Sequence, residues 1–524
     1  MKKAPEHLPD DVETLKAMLL SEQQLRTDRE NELKQKDLVI ESLHNKYQYL
    51  LEQFRLAQQK QFGASSEASS GQGDLFNEVE QLADEEQTAD EADKETISYT
   101  CSKPKRKPLP ADLPREVVVH DIAEDEKVCD CCGHELHQMG EDKSEQLEFI
   151  PAQIKVIEHV RPKYSCRSCE KNNTEVTIKQ APMPAAPIPK SMATPSLLSQ
   201  VITSKYQYSL PLYRQEQLFK QHGIELNRKT MSAWMIQCAS LFKPIIDSLH
   251  ETLLVQPVIQ ADETPLKVLK EDKTTSYMWL YCSGTDSPGG NGIKNIVLYD
   301  YQNSRSGQCA VNYLQGFTGS LQVDGYQGYE QTRLVLSGCW AHARRKFIEA
   351  QKAQGNNKAG KAQWAINHIQ KLYRIEKQLK DKTPEEKVAI RQEQSIPLLD
   401  QFKTWLDKSA SQVPPKSAIG KAIAYNLNQW DKLIQYADSG HLSIDNNRAE
   451  RAIKPFVIGR KNWLFANTAS GAKASARLYS LIETAKANGL TPFNYLMYLL
   501  AELPKKPDNL EALMPWNVQL EQTV

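Results

Sequence analysis

The chain has 524 residues, enough for three or four domains at roughly 150 residues each, which argues against a single compact fold. Hydrophobic residues make up 40% and charged residues 25%, and no apolar run approaches the ~18 to 20 residues of a membrane span, so a membrane protein is excluded. The net charge of −1 hides segregation: Glu78 to Glu95 holds nine acidic residues and one lysine, a local −8 that leaves +7 for the remainder. The N-terminus, MKKAPEHLPDDVETLK, has lysines but no apolar stretch after them, which predicts no secretory signal and a reducing cytosol. The ten cysteines are then expected to be thiols or metal ligands.

From Leu15 to Ala57, apolar residues fall on a heptad frame, one row holding Leu19, Leu33, Ile40, Tyr47 and Phe54, the other Leu15, Leu43, Leu50 and Ala57. This predicts an oligomerising coiled-coil helix within residues 1–62. Glu22, Arg26, Arg29 and Lys36 interrupt the seam, so its second half carries the pairing; a long solvated helix is the alternative. Residues 63–114 run through Gly-Ser, acidic and Lys-Pro stretches too polar to bury a core, and read as a flexible linker.

Within 115–180, Cys129 and Cys132 in CDCCGHEL form one C-x-x-C pair, and Cys166 and Cys169 in KYSCRSCEK a second. Two such knuckles suit one tetrahedral structural zinc ion, because each places two thiolates on a tight turn. The 33 intervening residues exceed the usual spacing, yet loop entropy grows by only ~0.6 kcal/mol per doubling, and LEFIPAQIKVIEHVRPKY reads as a small inserted sheet. Cys131 competes as a ligand, and unmetallated surface thiols are the bland alternative.

After the Pro-rich connector APMPAAPIPK, residues 190–255 read as helical. LPLYRQEQLFKQHGIELNRKTMSAWMIQ is a helix, a turn at Gly223 and a second helix from Arg228. A helix-turn-helix would aim Asn227, Arg228, Lys229 and Ser232 at a major groove; an ordinary αα-hairpin competes with that reading. From Val258 to Trp340 the pattern changes to β-type runs: three strands, a helix in SGQCAVNYLQGF, a strand in SLQVDG, another in RLVLSGCW, then the helix HARRKFIEAQKA. We therefore divide the rest into a core first part (256–354), a helical polar insertion (355–440), a core second part of two or three helices (441–503) and a tail (504–524).

Asp262 in PVIQADETP and Asp324 in SLQVDGY each stand in or at the edge of a strand that otherwise reads as buried. An unpaired buried ion costs several kcal/mol, so something must neutralise it. If the first and fourth strands are neighbours, the two carboxylates converge and repel until a divalent cation binds between them. A third acid, Glu450 in SIDNNRAERAIKPF, stands on a helix expected to be capped by Asp445 or Asn446. Its surroundings are basic: Arg448, Arg451, Lys454, Arg460 and Lys461. Three acids holding Mg²⁺ beside basic residues describe a two-metal phosphodiester site, although a solvated or salt-bridged role competes for each acid taken alone. His342, followed by Arg344, Arg345 and Lys346, reads equally as a phosphate contact or a packing histidine, Trp340 reads as core, and Trp463 more as packing than as a base-stacking platform.

QADETP, VDGY, CWAHARRKF and DNNRAERAIKPF, with the CxxCG and KYxCRxC knuckles, resemble the transposases of the IS66 family of bacterial insertion sequences. QFGASSE resembles the FG-x-x-SE signature after that family's zipper-like helix, and LPADLPREVVVHD its lead-in to the zinc module, so the resemblance spans nearly the whole chain. The extra Cys131 and the interrupted seam depart from the pattern.

The resemblance implies an RNase H-like core with a helical insertion, which suits the 126 positions from Asp324 to Glu450, and a DDE triad at Asp262, Asp324 and Glu450. It implies two Mg²⁺ (or Mn²⁺) ions, with water attacking first and the exposed 3′-OH then attacking target DNA. The expected partners are DNA (terminal inverted repeats and target), further copies of the chain and small accessory proteins of the same element, in the bacterial cytoplasm at the nucleoid. Two rival readings are a nuclease of the same core without strand transfer and a non-catalytic regulator using the zinc and helix-turn-helix modules.

Overall fold

The computed structural model describes residues 11–62, 154–164, 178–273, 275–285, 292–354 and 360–520. Cys129, Cys132, Cys166 and Cys169 lie outside them, as do Cys131 and the linker from 63 to 114. Contacts divide the chain into two units, residues 1–94 with 186–520, and residues 95–185 with 521–524. In the smaller unit, β1 (Lys163–Tyr164) pairs antiparallel with β2 (Lys179–Gln180), inside and just beyond the segment expected to form a small sheet.

Within the larger unit, helix α1 runs Val12–Phe62. Asp11 begins it by accepting the Thr14 amide at 3.0 Å. The heptad residues Leu19, Leu33, Ile40, Leu43, Tyr47, Leu50 and Phe54 are all exposed.

Four helices follow, α2 (Pro195–Tyr206), α3 (Leu212–Gln221), α4 (Arg228–Leu241) and α5 (Lys243–Leu254). Between α3 and α4 the chain turns at Gly223, whose φ of +75° is left-handed and favours glycine. Asn227 caps α4 by accepting the Lys229 amide at 2.8 Å. These helices do not form a separate body. Leu198, Val201 and Ile202 of α2 and Met231, Met235 and Cys238 of α4 are buried in the same core as the sheet that follows. Their apolar faces need a partner, and the C-terminal helices supply it.

The sheet comprises β3 (Val258–Leu266), β4 (Ser276–Ser283), β5 (Ile296–Gln302), β6 (Ser320–Gln322) and β7 (Val335–Ser337), with helix α6 (Gly307–Tyr313) between β5 and β6. Its spatial order is β5-β4-β3-β6-β7. The first three strands form an antiparallel meander, and β6 and β7 run parallel to β3. β4 is buried along nearly its whole length, as its apolar run SYMWLYCS requires of a central strand covered on both faces.

Edge strand β5 is sealed by α14 (Ala469–Ala487). Thr484 Oγ1 accepts the Val297 amide at 3.0 Å and donates to its carbonyl at 2.9 Å, and Ser480 Oγ accepts the Tyr299 amide at 2.8 Å. Two hydroxyls four residues apart on one helix face thus stand in for a missing strand.

The insertion has its own core. Trp340 and Phe347 of α7 (Trp340–Gln354) pack with residues of α8 (Lys361–Gln378), α10 (Ile396–Ala410) and α11 (Ala418–Asn428). Trp340 is fully buried, as core. α7 therefore shares the insertion's core rather than that of the first core part. α9 (Pro384–Ile390) and a π-helical turn, Arg391–Ser395, lead into α10, and the short α12 (Trp430–Leu433) follows α11.

The chain then returns to the sheet through α13 (Asn447–Trp463), α14 and α15 (Pro492–Glu502). Beyond α15, Leu513 and Met514 are buried and the Tyr495 hydroxyl donates to the Leu513 carbonyl at 2.9 Å, so residues to 520 dock on the core instead of trailing as a tail.

Candidate active site

The site is built where β3 and β6 lie side by side. Their register pairs Ile259 with Leu321 and Gln260 with Gln322, and the Gln260 amide donates to Gln322 Oε1 at 2.8 Å. Two residues further along each chain stand Asp262 and Asp324. Strand alternation puts Asp262 on the face of Gln260, and the parallel register carries both acids to the same end. Asp324 lies just past β6, where Gly325 turns the chain with φ +105°. There the Tyr425 hydroxyl donates to the Asp324 carbonyl at 2.9 Å, and a Cβ on residue 325 would stand 3.1 Å from that hydroxyl.

α13 packs over this face and brings Glu450 in from its first turn. Asn446 is the N-cap residue, but its side chain donates to the Ala261 carbonyl at 2.9 Å and ties the helix start to β3. Asp445 does the capping work, accepting the Asn447 amide at 3.1 Å.

Asp262 is surrounded by its own kind. Burial first, then Asp324, with Glu263 and Glu450 adding, push its carboxyl well above the ordinary range, opposed by the Glu263 amide that donates to it at 2.8 Å. Burial likewise pushes Glu450 up to about 7, with Arg345 opposing and Asp445 and Asp324 adding. Arg345 Nη2 lies 3.5 Å from Glu450 Oε2 and His342 Nδ1 3.3 Å from Oε1, but Oε1 is buried and has no aligned hydrogen-bond partner. Burial, Arg345 and Lys346 hold His342 down at about 4, against Asp324, so the imidazole is neutral at pH 7.

A buried carboxylate oxygen without a donor, beside two further acids, fits a divalent cation held by hard oxygen ligands. Cys339, His342 and Glu450 also offer ligand atoms within 4.8 Å of one another.

The basic residues divide. Arg345 and Lys346 are half-buried on α7 beside the acids, and Lys454 and Arg460 are half-buried on α13, with Arg460 donating to Thr264 Oγ1 at 3.3 Å. Arg451, Lys461, Arg228 and Lys229 are exposed. Arg344 and Arg448, expected among the DNA contacts, are buried, and Arg448 Nη2 donates to the Ser283 carbonyl. Their guanidinium groups satisfy the interior rather than the surface. Trp463 packs edge-on against Phe456, with ring centroids 5.5 Å apart.

Sequence reasoning passed over Glu263, Arg305, Tyr329 and Cys339. A signal existed for two of them: Glu263 adjoins Asp262 on the opposite face of the strand, and Cys339 stands three residues before His342.

Residues 190–474 match the family model described as Transposase IS66 family, and residues 126–170 match the zinc-finger binding domain of transposase IS66. The chain belongs to the IS66 transposase family. Residues 49–118 match Transposase C of IS166 homeodomain, and residues 480–516 the IS66 C-terminal element, so this IS66-family chain carries matched segments from helix α1 to the docked C-terminus.

Three relatives come from Sinorhizobium fredii (strain NBRC 101917 / NGR234). Uncharacterized protein y4jD is 35% identical over 429 residues, covering 79% of this chain and 82% of the relative. Uncharacterized protein y4hP is 33% identical over 439 residues, covering 80% and 78%. Uncharacterized protein y4qI is 33% identical over 545 residues, covering 97% of each. No solved structure matches the chain. The family supports transposase activity, a DNA partner and a zinc-binding segment for this protein.

Proposed function

We propose that the chain is a DDE transposase in which Asp262, Asp324 and Glu450 hold the divalent cations for cleavage and strand transfer at insertion-sequence ends. One observation carries the reading. Acids from β3, from the exit of β6 and from α13 act electrostatically on one another on a single side of the sheet, although 188 positions separate Asp262 from Glu450 in the chain. The mixed sheet, with an acid on its central first strand and another on the adjoining parallel strand, supports an RNase H-like core.

Bound Mg²⁺ or Mn²⁺ supplies nucleophile activation and stabilisation of the leaving oxygen. The chain's own groups do the rest. Asp262 and Asp324 fix the ligand oxygens on a rigid sheet, and α13 adds Glu450 through the Asn446 anchor to Ala261. Arg345 and Lys346 set positive charge where a scissile phosphate would approach. Neutral His342 packs against Glu450 and keeps that carboxyl from turning outward.

Cys129, Cys132, Cys166 and Cys169 hold one structural zinc in this reading, and the exposed apolar row of α1 pairs copies of the chain. Among the described residues no helix is long and apolar enough to cross a membrane.

The test is nicking of duplex DNA bearing the element's terminal inverted repeats. The full chain is expected to nick it only with Mg²⁺ or Mn²⁺, and Asp262→Asn, Asp324→Asn and Glu450→Gln are expected to bind the DNA without nicking it. Normal nicking by Asp262→Asn sinks the assignment. Joining of pre-cut ends to a target separates transposase from nuclease.

A further inference from the structure

A cavity of about 280 Å³ opens between the sheet and the helical insertion, its lining residues Gln260, Arg448 and Arg451 lying within two positions of Asp262 and Glu450 in the chain. Gln260 and Ser283 form its sheet wall, Arg448 and Arg451 of α13 a second, and Lys380, Lys387 and Arg391 of the insertion a third. Among the described residues Glu376 is the one carboxylate lining it, against five lysine and arginine side chains.

That carboxylate is already engaged. Arg391 is buried and donates to both Glu376 oxygens at 2.8 and 2.6 Å, and to the carbonyls of Tyr436, Ser439 and Leu442 at 2.8, 2.7 and 3.1 Å. It begins the π-helical turn Arg391–Ser395, an irregularity that recurs at functional sites. Lys380 and Lys387 form no ion pair among the described residues. Burial first, then Arg391, push the Lys387 ammonium below its ordinary range, with Glu376 and Asp381 opposing. Arg391 and Arg448 are taken up by Glu376 and by backbone carbonyls, so Lys380 and Lys387 are the ammonium groups this concave, open site can offer an anion.

The cavity is also tied to the acids. Its loop residues Gly440 to Ser443 lead directly into α13, and Gln322 Nε2 donates to the Ser443 carbonyl at 2.6 Å. Gln322 in turn accepts from Gln260 on β3. One hydrogen-bonded ladder therefore joins the floor of the cavity to both strands that carry aspartates.

We propose that this cleft binds a backbone phosphate of a single DNA strand, clamped by Lys380 and Lys387, as that strand runs past the acid cluster into the insertion. The proposal rests on the transposase reading for its ligand, and it assigns the helical insertion a part in gripping DNA. The cavity is too small for a duplex and suits one stretch of backbone.

The experiment measures binding of the full chain to a labelled single strand of about 20 nucleotides, across a salt series without added divalent cation. Lys380→Glu/Lys387→Glu is expected to weaken binding about tenfold or more and to flatten the salt dependence by about one to two phosphate contacts, and Lys380→Arg/Lys387→Arg is expected to keep both. Should the charge-reversed pair fail to melt cooperatively, Lys380→Ala/Lys387→Ala replaces it.

Unchanged affinity and salt slope in the variants overturn the proposal. So does lysine-dependent thermal stabilisation by inorganic phosphate or pyrophosphate with DNA affinity untouched, which marks a free-anion site. Nicking measured in parallel separates the failures. Lysine-dependent strand binding by a protein that never nicks sinks the transposase reading and keeps the cleft, whereas nicking with lysine-independent binding sinks the cleft alone.

Discussion

Asp262 and Glu263 are neighbours in the chain and face opposite sides of β3, and the two faces treat a buried acid in opposite ways. The Glu263 side chain is 1% exposed. Arg305 donates to it through Nη2 at 2.6 Å and Nε at 3.0 Å, and the Tyr329 hydroxyl donates to its other oxygen at 2.6 Å. Arg305 is itself held over the Tyr326 ring, 4.1 Å from the centroid. On the other face Asp262 meets Asp324 and Glu450 and, among the described residues, accepts only a backbone amide. One acid is neutralised by a designed partner and belongs to the structure. The other is left among acids, a state that natural folds tolerate where a ligand is to bind.

The largest expected effect breaks the comparison on the Asp262 side. Asp262→Asn should lower metal-dependent nicking by roughly 10³-fold or more, because it removes a cation ligand and not a fold contact. It should leave the metal-free melting temperature unchanged or raised, since the substitution removes a repelled charge. A nicking rate within tenfold of the parent, or a large drop in melting temperature, would erase the difference between the faces.

Arg305→Ala tests the other face. It strands Glu263 as a buried acid with one hydroxyl donor, and should cost about 2–3 kcal/mol of stability in denaturant unfolding. Tyr329→Phe removes a single hydrogen bond and should cost about 1 kcal/mol. Losses near zero for both would mean that the pairing of Glu263 is incidental.

The asymmetry was only half legible in the sequence. The succession of strands along the chain and the helix between the third and fourth followed from alternation patterns and short turns, which are local signals, whereas the adjacency of Asp262 to Asp324 was only a condition, one that depends on the long-range pairing of β3 with β6. Arg305 and Tyr329 lie 42 and 66 positions from Glu263, and no local pattern announces a partner at that range. The same limit hid the merger of α2 and α4 into the sheet's core, since an amphipathic helix does not declare what it will pack against. It also hid the burial of Arg344 and Arg448. Both stand in basic stretches that read as surface, whereas Arg448 spends its guanidinium on the Ser283 carbonyl at the end of β4.

A subtler effect is the sharpest probe of the acid cluster, because its size changes with pH. Glu450 rises from an ordinary 4.5 to about 7 in the folded chain, so between those values the folded state keeps a proton that the unfolded state has released. Its contribution to stability is present below pH 4.5 and is lost as pH rises through 7. His342 falls from 6.5 to about 4, so the unfolded state binds the extra proton in that window and stability there rises with pH. The two slopes oppose each other from 4.5 to 6.5, and only the Glu450 slope remains from 6.5 to about 7. Glu450→Gln keeps the His342 slope and cancels the other. Without divalent cation, the variant should therefore gain about 1–2 kcal/mol over the parent between pH 5 and pH 8, with the gain levelling above 7. Saturating Mg²⁺ should reverse the ranking at pH 8, because the ionised parent binds the cation and the amide does not. A pH-independent difference, or a ranking that Mg²⁺ leaves in place, would mean that Glu450 is held by His342 and Arg345 as securely as Glu263 is held by Arg305.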